Sequence, residues 1–225
     1  MNHRIARIFL LALFFTEVSI AAPKMGTMTD SRDGKKYKTV KIGEQVWMAE
    51  NLNYKKDYSL CHEYGCLYIW ESALRACPSG WHLPTNSEWE ELFNFLHVEK
   101  VCKDGCQYSG AGKKLKSTSG WDLDGNGKND YGFSALPAGL HVSKNGLLSF
   151  GSSANFWSAT KSALDFAYYM ALSGHGDDGY LDCDDGYANL LCDDESGRTG
   201  RIYDKLDAMS VRCLKDDNSL KGKIK

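Results

Sequence analysis

The sequence predicts an α+β fold, with helices early and short strands late. Three observations carry that expectation. Trp70, Ala73, Leu74 and Cys77 stand at i, i+3, i+4 and i+7, the spacing of one buried helical face. Thr85 and Glu88 form a capping box just after Pro84, and Trp89, Leu92, Phe93 and Leu96 repeat the same face. From about Tyr131 onward, short apolar runs are cut by Gly without helix-length segments between them, which argues against a parallel βαβ sheet. At 225 residues, 43% hydrophobic and 12% aromatic, the chain has material for one cored domain, at roughly 150 residues per domain.

The elements follow in order. Arg4 and Arg7 make a basic start, residues 8–15 are an unbroken apolar run, and Ser19 and Ala21 place small side chains where a signal peptidase cuts. A cleavable signal is therefore expected over residues 1–21, then one domain over 22–215 and a polar tail over 216–225. The apolar run is far shorter than the about twenty residues of a membrane helix, so no membrane insertion is expected after cleavage. Residues 36–41 and 45–49 lean towards strand around Gly43 and Glu44, an opening hairpin. Two amphipathic helices come next, the first stopped by Pro78 and Gly80. Strand candidates then fall at 132–136, 147–150, 156–159, 166–172 and 209–214.

Composition and charge exclude several classes. Twenty-two Gly without a triplet period and only 4 Pro exclude collagen, and the aromatic content excludes wholesale disorder. A net charge of −2 gives no electrostatic reason to expect a nucleic-acid partner. Eight cysteines in an exported chain point to disulfides, and eight allow 105 pairings, which spacing must prune. Cys61 with Cys66, Cys102 with Cys106 and Cys183 with Cys192 are local pairs, leaving Cys77 and Cys213 to close most of the fold. A zinc site from Cys61, Cys66, Cys102 and Cys106 is the competing reading.

Several segments carry a resemblance to known families. Trp70-Glu-Ser-Ala73 with Cys77, Gly80-Trp-His-Leu-Pro-Thr85 and Glu88-Trp-Glu90 resemble the stretch shared by C-type lectin-like domains and the formylglycine-generating, or sulfatase-modifying, family. More closely, the whole run resembles the Fibrobacter succinogenes major paralogous domain, an exported bacterial family. That resemblance rests on Asp33-Gly34, Tyr37 to Gly43, Val46-Trp-Met-Ala-Glu-Asn-Leu-Asn53, Cys77-Pro-Ser-Gly-Trp-His-Leu-Pro84 and the run from Ala111 to Trp121. Asp130-Tyr-Gly-Phe-Ser-Ala-Leu-Pro137, Phe156-Trp-Ser-Ala159 and Ser210-Val-Arg-Cys213 complete it. The resemblance implies a secreted, C-type lectin-like α+β domain with two early amphipathic helices, short antiparallel strands and long irregular disulfide-stapled loops. It also implies a bridge from the first helix to the last strand, the places of Cys77 and Cys213. His82 stands where sulfatase-modifying relatives carry Arg, and no paired catalytic thiols lie near the C-terminal end.

Two loops present ligand-like groups. Asp122, Asp124, Asn126 and Asp130 place oxygens at positions 1, 3, 5 and 9 of a loop with Gly127 at position 6, the front half of a calcium loop. Position 12 is Phe133, so a calcium site and a plain Asx and Gly turn both fit. Residues 174–197 hold eight acidic side chains and no Lys or Arg. Within them Asp182, Asp184 and Asp185 suit a divalent cation or ligand and Tyr180 and Tyr187 a sugar ring, whereas a solvated surface loop is the plainer reading. No nucleophile elbow, zinc-protease helix or phosphate loop occurs. The function expected is non-catalytic binding of polysaccharide or a cell-surface partner outside the cytoplasm. An oxygen-dependent enzyme and a purely structural envelope protein are the alternatives.

Overall fold

The computed structural model describes residues 22–55, 59–102, 106–122, 124–143, 145–161, 167–174, 188–190 and 207–217. The chain opens with β1 (Lys24–Thr29), β2 (Lys36–Ile42), β3 (Gln45–Met48), β4 (Ser59–His62) and β5 (Gly65–Ile69). There follow α1 (Trp70–Ala73), β6 (Trp81–His82), α2 (Asn86–Phe95), β7 (Glu99–Cys102), β8 (Cys106–Ser109) and α3 (Ala111–Leu115). The remaining strands are β9 (Leu140–Val142), β10 (Gly146–Leu148), β11 (Ser153–Lys161), β12 (Ala167–Ser173), β13 (Ala188–Leu190), β14 (Ala208–Ser210) and β15 (Leu214–Lys215).

This architecture is mainly β, and it corrects the expected α+β, lectin-like arrangement with two early amphipathic helices. Among the described residues the three helices have 4, 10 and 5 residues, and strands fill two sheets. The first helix fails after one turn. The N–H groups of Arg75 and Ala76 donate to the carbonyls of Ser72 and Ala73, three residues back, so the chain tightens before Pro78. Leu74, counted on the apolar face, is 38% exposed, and Ala76 is buried instead. Cys77 lies past the helix, in the turn that the disulfide holds. The run at 132–136 is also no strand; Ala135 makes one isolated bridge to Lys116 while Phe133 fills the core.

The smaller sheet has the antiparallel order β1-β2-β3-β15-β6, so the C-terminal strand lies between the opening hairpin and the segment before α2. The larger runs β10-β9-β14-β11-β12-β13-β8-β7, with the β4–β5 hairpin joined through β5 to β14. One apolar cluster gathers Trp47, Trp89, Phe133 and Phe156, with the Trp47 and Trp89 rings 4.6 Å apart. A second gathers Tyr68, Trp70, Trp157 and Met209. Disulfides join Cys61 to Cys66 across the β4–β5 hairpin and Cys77 to Cys213, whose Cα atoms are 5.9 Å apart. No helix among the described residues is long and apolar enough to cross a membrane.

Candidate functional site

The helix that sequence periodicity locates best, α2, also positions a surface cleft. Thr85 accepts from the Glu88 N–H and the Glu88 carboxylate accepts from the Thr85 N–H, the capping box expected from the sequence. Trp89, Leu92, Phe93 and Leu96 face the core, which leaves Phe95 on the opposite side and 43% exposed. The helix ends with His97 in the left-handed region at φ 50°, where Gly is the usual choice. Lys114 Nζ donates to the Leu96 carbonyl and so satisfies one of the helix's orphan acceptors.

The other walls come from turns. Gly43, at φ 60° between β2 and β3, leaves room for the Phe95 ring, since a Cβ there would lie 2.9 Å from Phe95 Cδ2. Asn129 organises the facing loop: its Oδ1 accepts from the Ser134 N–H at 2.7 Å and its Nδ2 donates to Ser134 Oγ at 2.8 Å. That turn presents Asp130 and Tyr131. The Tyr131 ring meets Phe95 edge to face at 6.0 Å, and the His97 ring lies 6.3 Å from Phe95. Burial, and then the nearby Asp130 charge, push the Tyr131 hydroxyl above its ordinary pKa. Ala22, Pro23 and Lys24 at the start of β1, with Lys41 at the end of β2, complete a cleft of about 350 Å³.

A second polar cluster lies at the start of α2. His82 Nε2 is 2.8 Å from Glu88 Oε1 and its Nδ1 is 2.8 Å from Asp216 Oδ1. The hydrogen bond to Glu88 raises the imidazole pKa; burial opposes this, and Asp216 adds to it. A carboxylate on each nitrogen favours the imidazolium form and makes the ring a strut, with both nitrogens committed within the protein. Sequence reading placed Glu88 at the helix start and marked His82 only as a departure from Arg, because Asp216 is brought to it only by β15 pairing with β6.

The calcium-like loop is distributed differently. Asn126 Oδ1 accepts the Trp121 N–H at 3.1 Å, Asp122 packs against Gly151, and Asp124 sits at φ 59°. Asp130 turns to the aromatic cleft. Among the described residues no three His, Cys, Asp or Glu side chains gather where they could hold a metal ion. Cys102 and Cys106 are direct partners in the β7–β8 register. Tyr180, Asp182, Cys183, Asp184, Asp185, Tyr187 and Cys192 lie outside the described residues. Lys116 is only 4% exposed. Its Nζ lies 4.7 Å over the Trp121 ring and donates to the Ser173 carbonyl, and burial depresses its pKa.

Residues 40–215 match the Fibrobacter succinogenes major domain. The chain belongs to that family. No curated protein and no solved structure matches it. In this Fibrobacter succinogenes major domain, the segments that carry the resemblance are fold determinants. Trp47, Trp89, Phe133, Trp157, Arg212 and Cys213 are all fully buried. The cleft differs in origin, because Ala22, Pro23 and Lys24 precede the matched region whereas Lys41, Gly43, Phe95, His97, Asp130 and Tyr131 lie within it. Sequence reading missed the cleft since Phe95 and Tyr131 look like ordinary apolar residues. The one available signal was that Phe95 falls off the Trp89, Leu92, Phe93 and Leu96 face.

Proposed function

We propose that this chain is an exported, non-catalytic binding domain that takes polysaccharide in the cleft between Phe95 and Tyr131. The observation that carries the reading is an exposed aromatic floor with charged groups around it. Phe95 is 43% exposed beside half-buried Tyr131, and Lys24, Lys41, His97 and Asp130 stand at the rim. Sugars suit such a surface: ring C–H groups cover an aromatic face while hydroxyls bond to charged side chains. The signal-like residues 1–21 and the two disulfides support export to an oxidising compartment. Calcium has no part in this reading, because Asn126 Oδ1 is committed to the backbone and Asp130 faces the cleft.

The test is calorimetric titration of the purified protein with soluble plant and bacterial polysaccharides. Phe95→Ala should weaken binding about tenfold, or about 1.4 kcal/mol. Its melting temperature should stay near that of the wild type, because the ring is not in the core. Undiminished binding by Phe95→Ala and Tyr131→Ala would remove the cleft from consideration.

A further inference from the structure

We infer that the cleft selects anionic polysaccharides over neutral ones; the inference rests on the glycan reading above and specifies the class of sugar. It stands on the register of the opening hairpin. Lys24 of β1 lies directly opposite Lys41 of β2, and both side chains line the cleft. Like charges directly opposite in an antiparallel pair destabilise the sheet, so the arrangement calls for a counter-charge. Lys41 has one, since its Nζ is 2.9 Å from Glu44 Oε2. Lys24 has no ion pair among the described residues.

The rest of the rim tips the same way. Asp130 is the one carboxylate in the lining, which it shares with Lys24, Lys41 and His97. Export with cleavage after Ala21 adds an α-ammonium group at Ala22, which also lines the cleft. A carboxylate or sulfate on a sugar stacked against Phe95 meets Lys24 at the lip, and a lysine ammonium is a point charge that accepts either group. The rival role for Lys24 is to guard an edge strand, as edge lysines do by discouraging strand addition. Binding measurements separate the two roles.

The experiment compares matched pairs of polysaccharides on the purified protein: polygalacturonate against its methyl ester, and dextran sulfate against dextran. The expected result is at least tenfold tighter binding of one or both anionic members in 50 mM salt, with the preference shrinking in 500 mM salt. Lys24→Gln should abolish the preference without lowering the melting temperature, because it also removes the repulsion from Lys41, whereas Phe95→Ala should weaken charged and neutral forms alike. The polygalacturonate and dextran sulfate arms show whether carboxylate or sulfate is the group recognised. Equal affinity for charged and neutral members overturns this inference while the glycan reading stands. A preference that survives Lys24→Gln places the charge elsewhere and overturns it as well. Binding to neither member of either pair, or to any neutral glycan, overturns both.

Discussion

Arg212 is wholly buried, lies 4.5 Å over the Phe133 ring and 5.3 Å from Phe156, and has no ion pair among the described residues. Burial pushes its pKa down to about 9. Four acceptors hold the guanidinium: the carbonyls of Met48, Phe133 and Ser134, and Asn51 Oδ1 at 2.6 Å. Arg212→Ala leaves those acceptors unpaired in the core and should destabilise the fold by about 3 to 5 kcal/mol in urea unfolding. Wild-type-like stability would contradict the role given to it. His82 supplies a pH-dependent contribution instead. Its folded pKa is raised, so its stabilisation is complete below the ordinary 6.5 and is lost as pH rises through the folded value. Burial pushes Glu88 upward, but the hydrogen bonds from His82 and Thr85 outweigh it, so its share is present above 4.5 and lost as pH falls through the lowered folded value. The melting difference between wild type and His82→Gln should therefore be largest between pH 4.5 and 6.5 and shrink on the alkaline side. A difference independent of pH would contradict the strut.

At the level of elements, α2 shows what sequence pattern can resolve. Its cap and its apolar face were legible, because ten residues give nearly three turns of periodicity. Thr85→Ala should remove about 1 kcal/mol by losing the cap, read as a lower urea midpoint at unchanged slope. The first helix was overcalled from four residues that fit a helical face, when one of them, Cys77, is fixed by a disulfide past the helix end. The strands were undercalled for two reasons. Many are two to four residues long, too short to show alternation, and residues 65–68 of β5 and 154–158 of β11 are continuously buried, so no polar face marks them. The opening hairpin was legible because β2 and β3 flank Gly43 and Glu44 with β-leaning runs. The cleft was not, since its residues come from β1, β2, α2 and the loop after Asn129, which only the folded chain brings together.

Across the whole molecule, closure comes from the C-terminal segment. The Met48 N–H donates to the Cys213 carbonyl and the Leu52 N–H to the Val211 carbonyl, and β15 pairs with both β3 and β6. The Cys77–Cys213 bridge spans 136 residues of sequence and the Cys61–Cys66 bridge spans 5. In the chain-entropy picture these closures stabilise by about 5 and about 2 kcal/mol. Replacing Cys77 and Cys213 together by Ala should thus lower the melting temperature more than replacing Cys61 and Cys66; the reverse order would contradict this assignment of the staple. The core so closed holds Phe95 and Tyr131 at the surface, and polysaccharide binding there is the central claim. The most direct test follows backbone amide chemical shifts during titration with polygalacturonate, dextran sulfate and dextran in turn. Shifts centred on Lys24, Lys41, Phe95, His97 and Tyr131 are predicted, and shifts centred elsewhere, or none at saturating polysaccharide, would contradict the claim.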